Sequence, residues 1–252
     1  MLIDLGGIRL NARDEGDGPA VVLLHGWPDT HGLWRHQFPA LVGDVIGLLD
    51  HLEIERAHLV GHDWGALFAW VTAARFPDRV ATLTALSVGH PASVATAGWA
   101  QREKSWYMLL FQFEGIAEQW LSADGFRNLC NLRDLFAHPQ TDEVAERLSD
   151  PAALTASLNF YRANVPPASW VRPPSAPPPP VSAPVMGIWS DGERFLTEES
   201  MTGSAAFVAG SWRDERLDGA GHWMQLDRPD VLNDLLLDFL AQAGDIRSFA
   251  SP

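Results

Sequence analysis

Asp63 lies at the centre of Gly61-His62-Asp63-Trp64-Gly65, a Gly-x-Asp-x-Gly segment that follows the apolar run Ala57-His58-Leu59-Val60 and precedes helix-forming residues from Ala66 to Arg75. A carboxylate on such a strand-to-helix turn projects from the carboxyl end of the strand, and the flanking glycines let neighbouring backbone pass close to it. Serine in that position attacks acyl carbon. A carboxylate instead suits displacement at saturated carbon and leaves an ester of the protein itself for water to cleave. The segment therefore points to hydrolysis of an epoxide or of a carbon–halogen bond. Taken alone it is a weak signal, since an ordinary strand-to-helix turn with an exposed acid would read the same way.

Two further residues narrow the reading. Asp191 follows the apolar run Val185-Met186-Gly187-Ile188-Trp189, and His222 follows the run from Trp212 to Leu217 within Gly221-His222-Trp223. Both then fall at the carboxyl edge of a sheet, where open α/β sheets place their ligands. The chain has nine histidines, so one favourable placement is cheap. The ordered set of nucleophile, acid and histidine is far more specific, and a histidine oriented by Asp191 can deprotonate water.

The elements that must position these groups alternate. Leu2-Ile3-Asp4-Leu5 and Ile8 to Ala12 flank Gly6-Gly7 as a hairpin, and Val21 to Leu24 is a strand ended by His25-Gly26-Trp27-Pro28. Helices are expected over about 33–41, 44–52 and 66–75, and strands over 57–60 and 79–88. This βαβ alternation implies a mostly parallel sheet with helices on both faces. From His90 to about Val171 the pattern turns helical and aromatic, with Trp99, Trp106, Trp120 and Trp170 inside it, as an inserted helical cap would. Residues 173–184 are proline-rich and read as a stiff connector, because proline forbids helix and gives no ladder donor. The expected organisation is a core of residues 1–89 and 185–252, a cap over 90–172 and the connector over 173–184. A last amphipathic helix spans about 230–241.

Composition bounds the function. With 252 residues, 46% of them hydrophobic, one domain can bury a sizeable core. A net charge of −14 argues against nucleic acid and anionic membranes as partners. The first ten residues lack a basic start and long apolar run, and no stretch approaches membrane-spanning length, so a cytoplasmic location is expected. The single Cys130 reads as a packing residue.

His25-Gly26-Trp27-Pro28, Trp34-Arg35-His36-Gln37, Gly61 to Ala66 and Gly221-His222-Trp223 closely resemble the epoxide hydrolase branch of the α/β-hydrolase family, over nearly the whole chain. In the cap, the segments Ser105 to Gln112 and Leu158 to Asn164 resemble those that carry the family's ring-opening tyrosines, and Tyr107 and Tyr161 are the only tyrosines present. The resemblance implies that Asp63 attacks a ring carbon and that the two phenols stabilise the departing oxygen. His222, oriented by Asp191, would activate water, and the backbone N–H groups of Trp27 and Trp64 would hold the oxyanion. Trp106 and Phe111 would line the substrate pocket. The expected partners are a small-molecule epoxide and water, with no metal and no organic cofactor. The sequence is silent on the epoxide's identity and leaves a homo-oligomer open.

One interval departs from the pattern. Only 31 residues (26–56) separate His25 from Ala57, where the resembled family holds a further strand. One core strand is therefore expected to be missing, leaving either a gap closed by the hairpin or an unpaired sheet edge. Three readings compete with active epoxide hydrolysis. A haloalkane dehalogenase would share the nucleophile but usually has Asn at the Trp27 position and no use for two tyrosines. A fluoroacetate dehalogenase would have Arg where Trp64 stands. An inactive, small-molecule-binding remnant would keep the pocket and lose turnover.

Overall fold

A computed structural model describes residues 1–5, 9–12, 14, 18–28, 38–131, 139, 141–171 and 176–243, with the backbone alone for 38–43 and 129–131. Five parallel strands, β3 (Val21–Leu24), β4 (Ala57–His62), β5 (Val80–Leu86), β6 (Val185–Ser190) and β7 (Trp212–Leu217), form the central sheet in that order. Every residue of β4 and β5 is buried, as expected for central strands covered on both faces. The register pairs His62 with Leu86 and Leu86 with Ile188, so β4, β5 and β6 end together and their following loops share one edge.

The expected hairpin forms from β1 (Leu2–Asp4) and β2 (Arg9–Asn11), paired antiparallel in a separate two-stranded sheet. It lies against α1 (Phe38–His51): a Cβ on Gly47 would meet the Leu5 side chain at 3.2 Å. One continuous helix thus occupies the place of two expected ones, with no strand between Leu41 and Asp44. The start of the expected 33–41 helix and the Trp34 to Gln37 segment lie outside the described residues. Of the two consequences foreseen for the short interval, the edge is the outcome among the described residues. β3 pairs only with β4, and Leu23 on it is 71% exposed.

Helix α2 (Trp64–Arg75) packs across β4 and β5 and buries ten of its residues, so its side chains are small or apolar all round. It stops at Phe76 because Pro77 disfavours helical backbone in the preceding residue. Among the described residues, six α-helices stand between β5 and β6: α3 (Pro91–Thr96), α4 (Gly98–Lys104), α5 (Tyr107–Leu110), α6 (Ile116–Asn131), α7 (Thr141–Leu148) and α8 (Pro151–Asn164). α6 is broken where Asp124, Gly125 and Phe126 all take positive φ. Arg162 of α8 grips Glu118 of α6 through two bonds of 2.8 and 3.0 Å and also donates to the Phe111 carbonyl at 2.7 Å. The proline-rich stretch ends inside the core, for Val181 is fully buried and bridges Val208 in parallel. After β6 come α9 (Glu198–Thr202), α10 (Met224–Asp227) and α11 (Pro229–Gln242). Leu232 and Phe239 of α11 pack with Met186, Ile188 and Leu217 of the sheet.

Candidate active site

Asp63 sits on the turn from β4 to α2 with φ 54° and ψ −122°, a strained backbone for a residue with a side chain. Space there is scarce. A Cβ on Gly61 would lie 2.4 Å from the Gly65 carbonyl, one on Gly65 would lie 2.1 Å from the Leu24 carbonyl, and one on Gly26 would lie 2.2 Å from the Asp63 Cβ. The glycines are therefore demanded by close approach of β3, the turn and the helix start. The Trp27 N–H donates to Asp63 Oδ1 at 2.9 Å, and the Trp64 N–H also reaches the carboxylate. The loop after β3 thus keeps its aim at Asp63 even though β3 has β4 as its only partner strand among the described residues. Burial works to raise the Asp63 pKa, but the hydrogen bond and charge of His222, with His62 and the Trp64 N–H, outweigh it and hold the group below its ordinary value.

His222 Nε2 lies 3.6 Å from Asp63 Oδ2. Its Nδ1 donates to Glu193 Oε2 at 2.7 Å, and the Glu193 side chain is fully buried. This corrects the expectation for Asp191, which is exposed and accepts from the Gly219 N–H at 2.8 Å, stapling two loops together away from the imidazole. The cause is local packing. Gly192 sits tightly against the neighbouring loop, its N–H bonded to the Ala220 carbonyl at 3.0 Å, and the chain then turns its next side chain inward. The signal in the sequence was a second acid two residues on, in Asp191-Gly192-Glu193. Burial opposes ionisation of both partners. Even so, their mutual charge and hydrogen bond hold Glu193 low, and together with Asp63 push His222 up to about 10. The His62 Nε2–H donates to the His222 carbonyl at 2.9 Å, and the Gln225 amide donates to His62 Nδ1 at 3.2 Å, which fixes the His62 tautomer.

The helices between β5 and β6 deliver both tyrosines. Tyr107 and Tyr161 are buried with rings 6.1 Å apart, and their hydroxyls hydrogen-bond one another. Burial, followed by the nearby Asp63 charge for Tyr107 and by Tyr107 and Asp63 for Tyr161, keeps both phenols protonated far into the alkaline range. They line one cavity with Asp63, His222 and Trp27, closed by Phe195 and Trp223. Phe111 packs behind this wall, 5.0 Å from the Tyr161 ring and 5.5 Å from that of Trp27. Trp106 is 42% exposed and does not line the cavity, contrary to expectation. Phe195 has no motif around it in the sequence, and Trp223 enters there only as the neighbour of His222 in Gly221-His222-Trp223. Helix α4 also grips the loop of Glu193: Gln101 Nε2 donates to the Phe195 carbonyl at 2.8 Å, and Lys104 Nζ donates to the Glu193 carbonyl at 2.9 Å. Among the described residues no cluster of His, Cys, Asp or Glu could hold a metal ion, and no helix is long and apolar enough to cross a membrane.

A parallel sheet with a carboxylate on a strained turn after β4, a buried acid after β6 and a histidine after β7 defines a class, and a profile of the alpha/beta hydrolase fold matches residues 43–229. The chain belongs to the α/β-hydrolase family, in its epoxide hydrolase branch. It is 30% identical over 311 aligned positions to epoxide hydrolase A of Mycobacterium tuberculosis, covering 95% of this chain and 96% of the relative. Those 311 positions exceed the 252 residues of this chain, so the relative has residues at 59 or more positions where this chain has none. It is 29% identical to the AB hydrolase superfamily protein YfhM of Bacillus subtilis, over 94% of this chain and 96% of that one. Among solved structures, epoxide hydrolase A of Mycobacterium thermoresistibile superposes with a TM-score of 0.70 at 27% identity, covering 96% of this chain and 97% of that one. The epoxide hydrolase of Bacillus megaterium, solved with an inhibitor, shares the fold with a TM-score of 0.76 at 24% identity, covering 96% of this chain and 100% of that one.

Proposed function

We propose that the protein opens a small epoxide to a vicinal diol, with the helices between β5 and β6 acting as the cap that carries the ring-opening groups. The observation that carries this reading is the placement of the Asp63 carboxylate and the two phenols on one small cavity. Asp63 Oδ1 is engaged by the Trp27 N–H, which leaves Oδ2 to attack a ring carbon. The ring C–O bond breaks, its electrons stay on oxygen, and the Tyr107 and Tyr161 hydroxyls donate to that oxygen as charge develops. One phenol gives its proton to that oxygen, so a hydroxyalkyl ester of Asp63 and a phenolate remain.

Water then attacks the ester carbon of Asp63 while His222 Nε2 takes its proton, and Glu193 holds the resulting imidazolium through Nδ1. The N–H groups of Trp27 and Trp64, already on the carboxylate, hold the oxyanion. Collapse breaks the C–O bond to the alkyl group, the leaving oxygen takes the proton held on His222, and the diol is released. The carboxyl proton left on Asp63 passes back to the phenolate, restoring the starting state. No specific contact favours the dehalogenase reading, in which two protonated phenols facing the nucleophile would have no task.

The test is diol formation from styrene oxide, with Asp63→Ala beside the wild type. A single turnover in ¹⁸O-labelled water distinguishes the route: label should enter the Asp63 carboxylate and not the diol, because water attacks the enzyme's own carbon. Label appearing in the first-turnover diol would mean direct attack of water on the ring.

A further inference from the structure

Ser87, immediately after β5, is fully buried and has φ +67°. The Val88 N–H bonds back to the Leu86 carbonyl at 2.8 Å, so Ser87 is the central residue of a three-residue γ-turn with positive φ, the rare and strained hand of that turn. Glycine would take this conformation without strain, yet a hydroxyl stands here. The turn is fixed on both sides: the Ser87 N–H donates to the Ile188 carbonyl at 2.9 Å, and the Trp70 indole donates to the Val88 carbonyl at 3.2 Å.

Three members of the site converge on this turn. The Leu86 carbonyl that closes it also accepts the Asp63 N–H, at 3.4 Å. Ser87 Oγ donates to the His222 carbonyl at 3.2 Å, beside the His62 bond to the same atom. The hydroxyl is also within hydrogen-bonding reach of the Glu193 carboxyl, which burial pushes up and which His222 first, and Ser87 last, help to hold low. Resting on the reading of the site given above, we infer that Ser87 is a positioning residue that sets His222 and Glu193 relative to the ester on Asp63, and that its strained turn is retained to aim its hydroxyl at them.

Because Glu193 and His222 serve the hydrolytic step, loss of the hydroxyl slows that step selectively. Ser87→Gly is the informative variant, since it relieves the backbone while removing the hydroxyl, and Ser87→Ala is its partner. In single turnovers with styrene oxide, followed by mass spectrometry of the Asp63 peptide, both variants should hydrolyse the ester about tenfold more slowly, while ester formation changes less than about threefold. The ester then accumulates. A variant that only lost active protein would lower both steps in proportion, and a wild-type ratio of the two rates in Ser87→Gly overturns the inference. A second readout needs no turnover: the proton on His222 Nδ1, held in a 2.7 Å bond to Glu193, should give a far-downfield NMR resonance, assigned by its loss in His222→Gln. It should shift or broaden in both Ser87 variants, and an unmoved resonance in both refutes the positioning role. If the wild type opens no epoxide, the functional reading fails and this resonance alone decides the role of Ser87.

Discussion

His222 Nδ1 and Glu193 Oε2 are 2.7 Å apart, both groups buried, while Asp191 two residues earlier bonds the Gly219 N–H. Glu193→Gln keeps the shape of the side chain but removes the charge and lets the imidazole take the wrong tautomer. Turnover should fall by about a hundredfold or more, with the Asp63 ester accumulating. Asp191→Asn should leave kcat within about twofold and cost about 1 kcal/mol of stability for one weakened loop bond. Steady-state kinetics and urea midpoints for the two variants check this, and a larger kcat loss in Asp191→Asn would reverse the assignment.

The tyrosine pair makes a separate prediction. The hydroxyls of Tyr107 and Tyr161 bond each other inside the cavity, so either alone retains a donor for the ring oxygen. Tyr107→Phe or Tyr161→Phe should each lower the rate of ester formation by roughly ten- to a hundredfold, and the double variant should abolish it. The rings pack against Phe111 and Trp27, so Phe preserves the wall and thermal stability should change little. Rapid-mixing measurement of ester formation tests the pair, and unchanged rates in the double variant would remove both phenols from the mechanism.

The pH dependence follows from one histidine between two carboxylates. Burial alone would lower His222, but Glu193 and Asp63 raise it to about 10, so the free protein carries it charged at neutral pH. Esterification removes the Asp63 charge 3.6 Å from Nε2, and His222 then yields its proton at lower pH than in the free protein. Ester formation, which needs Asp63 ionised, should be flat between about pH 5 and about pH 8, whereas ester hydrolysis should rise with pH. The raised His222 also contributes stability that is fully present below its ordinary 6.5 and lost as pH rises through about 10. Thermal midpoints should therefore decline over that window less steeply in His222→Gln. Equal alkaline slopes would contradict it.

Much of this site was readable because its signals are local. Gly61, Asp63 and Gly65 stand within five residues, and the strand, turn and helix around them each have their own pattern. Tyr107 and Tyr161 stood out through scarcity and the segments around them. The acid was not readable, because the choice between Asp191 and Glu193 depends on the Gly192 contact with Ala220 and on which side chain meets the Gly219 N–H, contacts made by a loop about 28 residues away. Trp106 failed as a pocket residue for a similar reason. It sits at the junction of α4 and α5, and the docking of that short helix turns Tyr107 and Phe111 inward and leaves Trp106 half exposed.

The shortened interval could be read by counting residues, and its consequence is specific. Among the described residues, β3 presents Val21-Val22-Leu23-Leu24 as an edge without charge or proline, the kind that invites pairing with another chain. Leu23→Lys places a charge on a side chain already 71% exposed. It should leave diol formation unchanged, alter stability by less than about 0.5 kcal/mol and raise solubility. Light scattering on concentrated samples with a parallel activity assay checks it, and a marked loss of stability would mean that Leu23 is covered in solution.

The start of α3, the first helix after β5, carries an acid-sensitive element. His90 caps α3 by accepting the Ala92 N–H on Nδ1 at 3.2 Å, so its proton sits on Nε2, which is buried with no hydrogen-bond partner among the described residues. Its ring stacks on Phe207 at 4.3 Å and meets Trp70 edge-on. Burial holds its pKa down at about 4, whereas the unfolded chain takes up the proton near 6.5. A lowered histidine contributes stability that is fully present above 6.5 and lost as pH falls through about 4, up to about 3 kcal/mol from this group. Protonating Nδ1 would also remove the acceptor that caps α3. His90→Asn keeps an acceptor at the cap and does not titrate, though the smaller side chain leaves space beside Phe207 and should cost about 1–3 kcal/mol at neutral pH. Urea midpoints at pH 7 and at about pH 5 should therefore differ less in the variant than in the wild type, because the buried carboxylates that also weaken in acid are common to both. Equal differences in the two proteins would show that His90 does not link the stability of this region to pH.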